Sequence, residues 1–276
     1  MTYTQRALVL LSLLLAGCGT AGGPVPYAPV NNDAPVQVIG IPTLGAAPMG
    51  TTPIGSAPVG SAPQGQAQQA LMAMGAAVRA LSSARYDGVM YCRGSVGNRP
   101  AALPQLPDGT WEATTNYHIE FRQPQTYRIQ VTTCTNPKSN GMKMVVQGDQ
   151  ASIKLTGLLG LATFHKSLGD SQMLNFRGAR LDQGSLDGLA SRFGSGPVPD
   201  ARWIGMTPVD GQPLELIEIP HAPPGDPAIV REVIGLDPQT HLPRLDAEFT
   251  ATQKVYEMKI QNWIANPSLP DSDFTL

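Results

Sequence analysis

Residue types able to act as acid, base, nucleophile or metal ligand are thinly spread along this chain of 276 residues. The four histidines, His118, His165, His221 and His241, share no metal-ligand spacing, and none groups with a cysteine. His118 alternates with apolar neighbours in a strand pattern, which sends its ring to the polar face as a solvated residue rather than a base. Ser195, within Gly194-Ser195-Gly196, lacks both the Gly-x-Ser-x-Gly elbow and the apolar strand that precedes it in nucleophile turns, so a glycine-rich loop is expected there. Glu215 and Glu218 sit three apart on one strand pattern, face opposite sides and cannot work as a carboxylate pair. No catalytic residue, metal set or cofactor is expected, and the chain does not read as an enzyme.

Cysteine offers one further chemistry. Cys92 and Cys134 would close a long loop if joined, worth about 4 kcal/mol in the chain-entropy model. On the first and third strands of a meander they would stand roughly 10 Å apart, beyond the ~7 Å Cα limit of a disulfide. A Cys92–Cys134 bridge and two inert thiols both remain open at this level.

The third cysteine is different. An apolar run from Ala7 to Ala16 follows the single basic residue Arg6 and ends in Leu15-Ala16-Gly17-Cys18. The run has the length of a secretory h-region and falls well short of the roughly 20 apolar residues of a membrane-spanning helix. Leu15-Ala16-Gly17-Cys18 resembles the lipobox of a bacterial lipoprotein signal peptide. The resemblance implies cleavage after residue 17, a diacylglycerol on the Cys18 thiol and a further acyl chain on its amine. Each buried methylene is worth about 0.8 kcal/mol, so a multiply acylated Cys18 would anchor the chain stably to a membrane. The next residue is Gly19 and not Asp, which by the same resemblance favours the outer membrane, with the domain in the periplasm.

From residue 18 to residue 65 no helical or strand period is visible. Pentapeptides repeat instead: Gly45-Ala46-Ala47-Pro48-Met49, Gly50-Thr51-Thr52-Pro53-Ile54, Gly55-Ser56-Ala57-Pro58-Val59 and Gly60-Ser61-Ala62-Pro63-Gln64. Regular proline favours extension and the intervening glycine restores flexibility, so this segment reads as a tether. It would span roughly 35 to 40 Å as a coil and at most about 145 Å as polyproline II. Charged residues make up 14% of the whole chain and the formal net charge is −2, with no basic stripe, which argues against nucleic acid as a partner.

Residues 66–276 carry the folding information. Gln66 to Ala84 has Leu71, Met74, Val78 and Leu81 at helical spacing. Two strictly alternating runs follow around Gln123-Pro124-Gln125-Thr126. Tyr117, Ile119 and Phe121 oppose His118, Glu120 and Arg122, and Tyr127, Ile129 and Val131 oppose Arg128 and Gln130. Further strand patterns cover 86–91, 142–146, 151–155, 214–219, 229–236, 244–250 and 255–260, for about nine in all. Turn signals at Asp108-Gly109, Gly148-Asp149, Asp210-Gly211 and Asp237-Pro238 separate them. Helical stretches are expected at 157–166 and 185–193, the second capped by Ser185 with Leu186, Leu189 and Phe193 as its stripe. The architecture that follows is α+β, mainly β: a large antiparallel sheet with one dry face and a few helices laid over it.

Two segments then resemble the lipoprotein-carrier (LolA/LolB-like) superfamily. One is Glu120-Phe121-Arg122-Gln123-Pro124-Gln125-Thr126-Tyr127-Arg128 with a later Gln147-Gly148-Asp149. The other comprises Leu236-Asp237-Pro238-Gln239-Thr240-His241-Leu242-Pro243 and the tail Asn266-Pro267-Ser268-Leu269-Pro270-Asp271-Ser272-Asp273-Phe274. The resemblance implies a curved antiparallel half-barrel whose concave face is covered by helices and encloses an apolar cavity for acyl chains. Candidate cavity residues are Tyr117, Ile119, Phe121, Tyr127, Ile129 and Val131, with ordinary core as the alternative. Leu158, Leu159, Leu161 and Phe164 form a second set, as a lid beside Gly157 and Gly160 or as a short core helix. The ligand expected is a lipid or a lipoprotein acyl chain. A non-catalytic scaffold or sensor binding an envelope protein is the alternative. The Pro-rich insert at 98–108 and the long tether depart from a freely shuttling carrier.

Overall fold

A computed structural model describes residues 62–95, 103–156, 162–171, 173, 180–220 and 227–276. Expectations for the signal peptide, Cys18, most of the tether, Leu158, Leu159 and Leu161 lie outside these residues. The first helix, α1, runs Ala62–Arg79 and turns into the strand β1, Ser83–Ser95. It starts inside the last pentapeptide, with Pro63 in the first turn, where a missing N–H costs nothing. It also ends earlier than the apolar spacing suggests, because Leu81 already belongs to the connection and Ala84 is buried within β1.

The remaining strands are β2 (Thr110–Arg122), β3 (Thr126–Cys134), β4 (Lys143–Gln147), β5 (Gln150–Lys154), β6 (Thr163–Ser167), β7 (Arg202–Val209), β8 (Gln212–Ile219), β9 (Arg231–Leu236), β10 (Pro243–Phe249) and β11 (Lys254–Ala265). They form one sheet of 11 strands in the order β6-β5-β4-β3-β2-β1-β11-β10-β9-β8-β7, open at both ends. Every described pair is antiparallel. Two meanders, β1 to β6 and β7 to β11, are thus sewn together by pairing of β1 with β11. The second helix, α2 (Leu186–Phe193), lies in the connection between them.

The turn chemistry explains the hairpins. Asp210 and Gly211 both have positive φ (49° and 82°), the two-residue turn whose twist matches antiparallel strands. The Asp237 carboxylate accepts from the amides of Gln239 and Thr240 at 3.0 and 2.9 Å and closes the loop between β9 and β10. Ser185 caps α2, its hydroxyl accepting from the Gly188 amide at 3.1 Å.

Two expectations fail locally. Within the stretch expected to be helical at 157–166, Thr163–Ser167 is instead the edge strand β6, where Phe164 lies opposite Ile153. A five-residue segment cannot show a helical period, and its β-branched and aromatic start finds a partner in β5. β7 went unread because a bulge at Trp203/Gly205, with Gly205 at φ 130°, breaks the alternation. Its Pro208 is tolerated on an edge strand.

Both helices cover one face, and the sheet bends round them. α2 has eight residues, about 12 Å of axis. Near its start Asp187 accepts from the Tyr127 hydroxyl on β3 at 3.2 Å, and near its end Arg192 pairs with Glu232 on β9 at 2.6 Å. β3 and β9 are five strand positions apart, about 24 Å in a flat sheet. Reaching both strands from so short a helix requires a curved half-barrel with the helices on the concave side.

The interior divides along the sheet. Val78, Leu81, Leu186 and Ala190 pack with Ala84, Tyr86, Ile119, Phe121, Tyr127, Met144 and Ile153 over the first meander. Ala67, Ala70, Leu71, Met74, Leu189 and Phe193 pack with Ile217, Ile219, Ile234 and Leu236 over the second. Fully burying such side chains contributes roughly 1.5–3 kcal/mol each. The helices meet at glycines: a Cβ on Gly75 would stand 2.5 Å from the Cα of Gly194, so only hydrogen permits that backbone approach.

Candidate functional site

Of the six expected cavity residues, four belong to the packed core. Ile119, Phe121, Tyr127 and Val131 are buried beneath the helices, and Phe121 stacks on Tyr127 with ring centroids 4.9 Å apart. Tyr117 and Ile129 face the same way but are only half-buried. Residues not singled out from the sequence share this condition, among them Met90 on β1, and Tyr256, Met258 and Ile260 on β11, with Trp263 further along β11 stacked on Tyr86.

Cross-strand register makes Met90, Tyr117, Ile129, Tyr256, Met258 and Ile260 contiguous. Met90 is opposite Met258, Cys92 is opposite Tyr256, and Gly88 lies between Ile260 on one side and Tyr117 on the other. Ile129 follows one strand further on, opposite Ile119. The patch crosses β11, β1, β2 and β3, about 14 Å of sheet. Gly88 leaves room at its centre for Met258: a Cβ there would fall 2.5 Å from the Met258 methyl, so glycine lets that side chain lie across the floor. The Tyr117 hydroxyl donates to the Met90 sulfur at 3.8 Å. This concave floor is apolar and soft, because thioethers adapt to irregular partners, and it keeps more accessible surface than the buried core on either side.

One wall is polar. Arg192 of α2 grips Glu232 of β9 with two hydrogen bonds, at 2.6 and 3.2 Å. Asp246, buried on β10, lies directly opposite Met258. Burial, and then the charge of Glu232, push the Asp246 carboxyl well above the usual carboxylate range. Burial also raises the Tyr256 phenol well above its ordinary value. At the other end, burial raises the Asp187 carboxyl where it accepts from Tyr127 and Gln123.

The Cys92–Cys134 bridge is corrected. Cys134 carries a free thiol 3.3 Å from the Thr115 hydroxyl. Cys92 pairs with Ala113 on one edge of β2 and Cys134 with Thr115 on the other, so β2 separates them. Phe164 on β6 is half-buried and packs on the first core cluster. The other singled-out groups are occupied on surfaces. His118 bonds Asp87 through Nδ1 at 2.8 Å, and the Ser195 hydroxyl donates to the Ser191 carbonyl at 2.7 Å. Glu215 accepts from Trp203 and Glu218 from Arg231, on opposite faces of β8. Among the described residues no group of three or more His, Cys, Asp or Glu is placed to hold a metal ion, and no helix is long and apolar enough to cross a membrane.

Fold and floor together define an open antiparallel half-barrel with helices in its concavity. No family model matches the chain, and no curated protein matches it. The solved structures it resembles include LolA-superfamily proteins and lipoproteins. The Mycobacterium tuberculosis lipoprotein LppX is 15% identical with a TM-score of 0.44, covering 75% of this chain and 98% of that one. A LolA-superfamily protein of Nitrosomonas europaea is 11% identical with a TM-score of 0.34, covering 76% and 97%. A DUF1329-family protein of Desulfovibrio piger is 13% identical with a TM-score of 0.41, covering 77% and 97%.

Proposed function

We propose that this protein is a lipoprotein tethered through acylated Cys18 to the periplasmic side of the outer membrane, and that its half-barrel binds an acyl chain on the concave floor. One observation carries the reading. Met90, Tyr117, Ile129, Tyr256, Met258 and Ile260 form an apolar band that faces the concavity, packs on the core and yet stays only partly buried. A soluble protein seldom leaves such a surface inside a concavity without a use for it. The buried Arg192–Glu232 pair beside the floor would set how far an apolar chain penetrates, because a charged wall offers such a chain nothing. The role is non-catalytic.

Native mass spectrometry tests this on the full mature chain carrying Cys18→Ser, secreted to the periplasm and purified without detergent. A bound mass matching a phospholipid or an acylated peptide is expected, and Met258→Asp should abolish it while circular dichroism stays that of wild type. Phe121 is unsuitable for this purpose, since it is fully buried and its replacement would unfold the core. A clean apo mass that persists after incubation with envelope lipids would rule out acyl-chain binding and leave the protein-binding scaffold as the working function.

A further inference from the structure

On the convex face, away from the floor, Arg128, Lys143 and Lys154 line a pocket of about 280 Å3 together with Gly141, Leu155, Thr156, Thr275 and Leu276. Lys143 on β4 and Lys154 on β5 are direct cross-strand partners. Like charges placed opposite one another repel, and among the described residues neither lysine has a carboxylate within ion-pair distance. Other lysines of the sheet are treated otherwise: Lys166 pairs with Asp170, Lys254 with Glu257 and Lys259 with Asp210. Arg128 shares the buried Glu120 with Arg85, both at 2.9 Å, so two guanidiniums divide one carboxylate and leave a net positive charge beside the lysines. The hydroxyls at the rim are committed within the chain, Thr156 donating to the Asn140 carbonyl at 3.0 Å and Thr275 to the Ser272 carbonyl at 2.9 Å. The remaining donors are therefore cationic; against them stands the α-carboxylate of Leu276, which also lines the pocket, and the excess of positive charge suits a compact anion made only of acceptors.

We propose that this pocket binds a phosphate group, held between the ammonium groups of Lys143 and Lys154 with Arg128 behind them. The anion converts the lysine repulsion into two charge-assisted hydrogen bonds. The phosphate could belong to a lipid headgroup or to a small soluble ester, and the proposal does not depend on what the concave floor binds.

The test uses the full mature chain with Cys18→Ser, so that no acyl anchor contributes to membrane binding. Inorganic phosphate is titrated at low ionic strength and followed by amide chemical shifts of β4 and β5. Saturable shifts are expected there, weakened about tenfold or more in Lys143→Met/Lys154→Met and retained in Lys143→Arg/Lys154→Arg. Co-sedimentation with phosphatidylcholine vesicles, with and without phosphatidylglycerol, separates the sources. Lysine-dependent binding to the anionic vesicles assigns the lipid headgroup, and phosphate binding without vesicle binding assigns a soluble ester. Equal phosphate affinity in the methionine variant would overturn the proposal. So would the absence of saturation in wild type together with a lower melting temperature in the methionine variant, since the lysines would then already be neutralised within the chain.

Discussion

At the scale of single residues, chemistry is set by what each side chain meets across the sheet. Cys134 is free and half-buried, so in a Cys18→Ser chain a maleimide should label it in the folded state, as located by peptide mapping. Absence of labelling before reduction would indicate the Cys92–Cys134 bridge after all. Asp246 sets a pH dependence. Its folded-state pKa is raised, chiefly by burial, so the native chain holds this proton more tightly than the unfolded chain. The group's contribution to stability is then full below the unfolded value near 4 and declines as pH rises toward the folded value. Asp246→Asn keeps the neutral shape, and its melting temperature should stay flat where that of wild type falls. A parallel decline in both proteins would place the pH sensitivity elsewhere. None of this was legible in the sequence, where Asp246 is one acid in an alternating run.

At the scale of elements, glycine decides how closely the two helices approach. Gly65 and Gly75 both lie in α1, but a Cβ on Gly65 meets open space and one on Gly75 meets the backbone of Gly194. Gly65→Ala should stabilise by about 0.5–1 kcal/mol through helix propensity. Gly75→Ala should instead destabilise by about 1–3 kcal/mol through overpacking. Urea unfolding of the two variants checks the opposite signs, and a gain at Gly75 would mean that α2 yields freely. Helices were readable where they had length or a cap: Leu71, Met74 and Val78 formed the stripe of α1, and Ser185 announced α2. Short edge strands were not, because β6 has five residues and β7 contains a bulge, and neither preserves a period long enough to recognise.

At the scale of the whole molecule, α2 holds the two meanders in their curved relation. Arg192 and Glu232 form the brace on one side, and Asp187 with Tyr127 on the other. Arg192→Met leaves the Glu232 carboxylate buried without its partner and should cost about 3–5 kcal/mol, with most of the loss recovered in Arg192→Met/Glu232→Met. Equilibrium unfolding reads both, and additive losses in the double variant would show that the pair acts as two independent side chains. The sequence by itself carried the apolar run ending in Leu15-Ala16-Gly17-Cys18, the Pro/Gly pentapeptide repeat, the alternating strands with their turns, and the dry face that Tyr117 and Ile129 share with Phe121. Those properties reside in neighbours along the chain. Only the tertiary structure decided which apolar residues became core and which became floor. The floor arises where β1 meets β11, and the register that sets Met90 opposite Met258 joins segments from the two ends of the domain. Alternation gives every strand an inner face but cannot say which strand lies beside it, nor where the helices stop covering it.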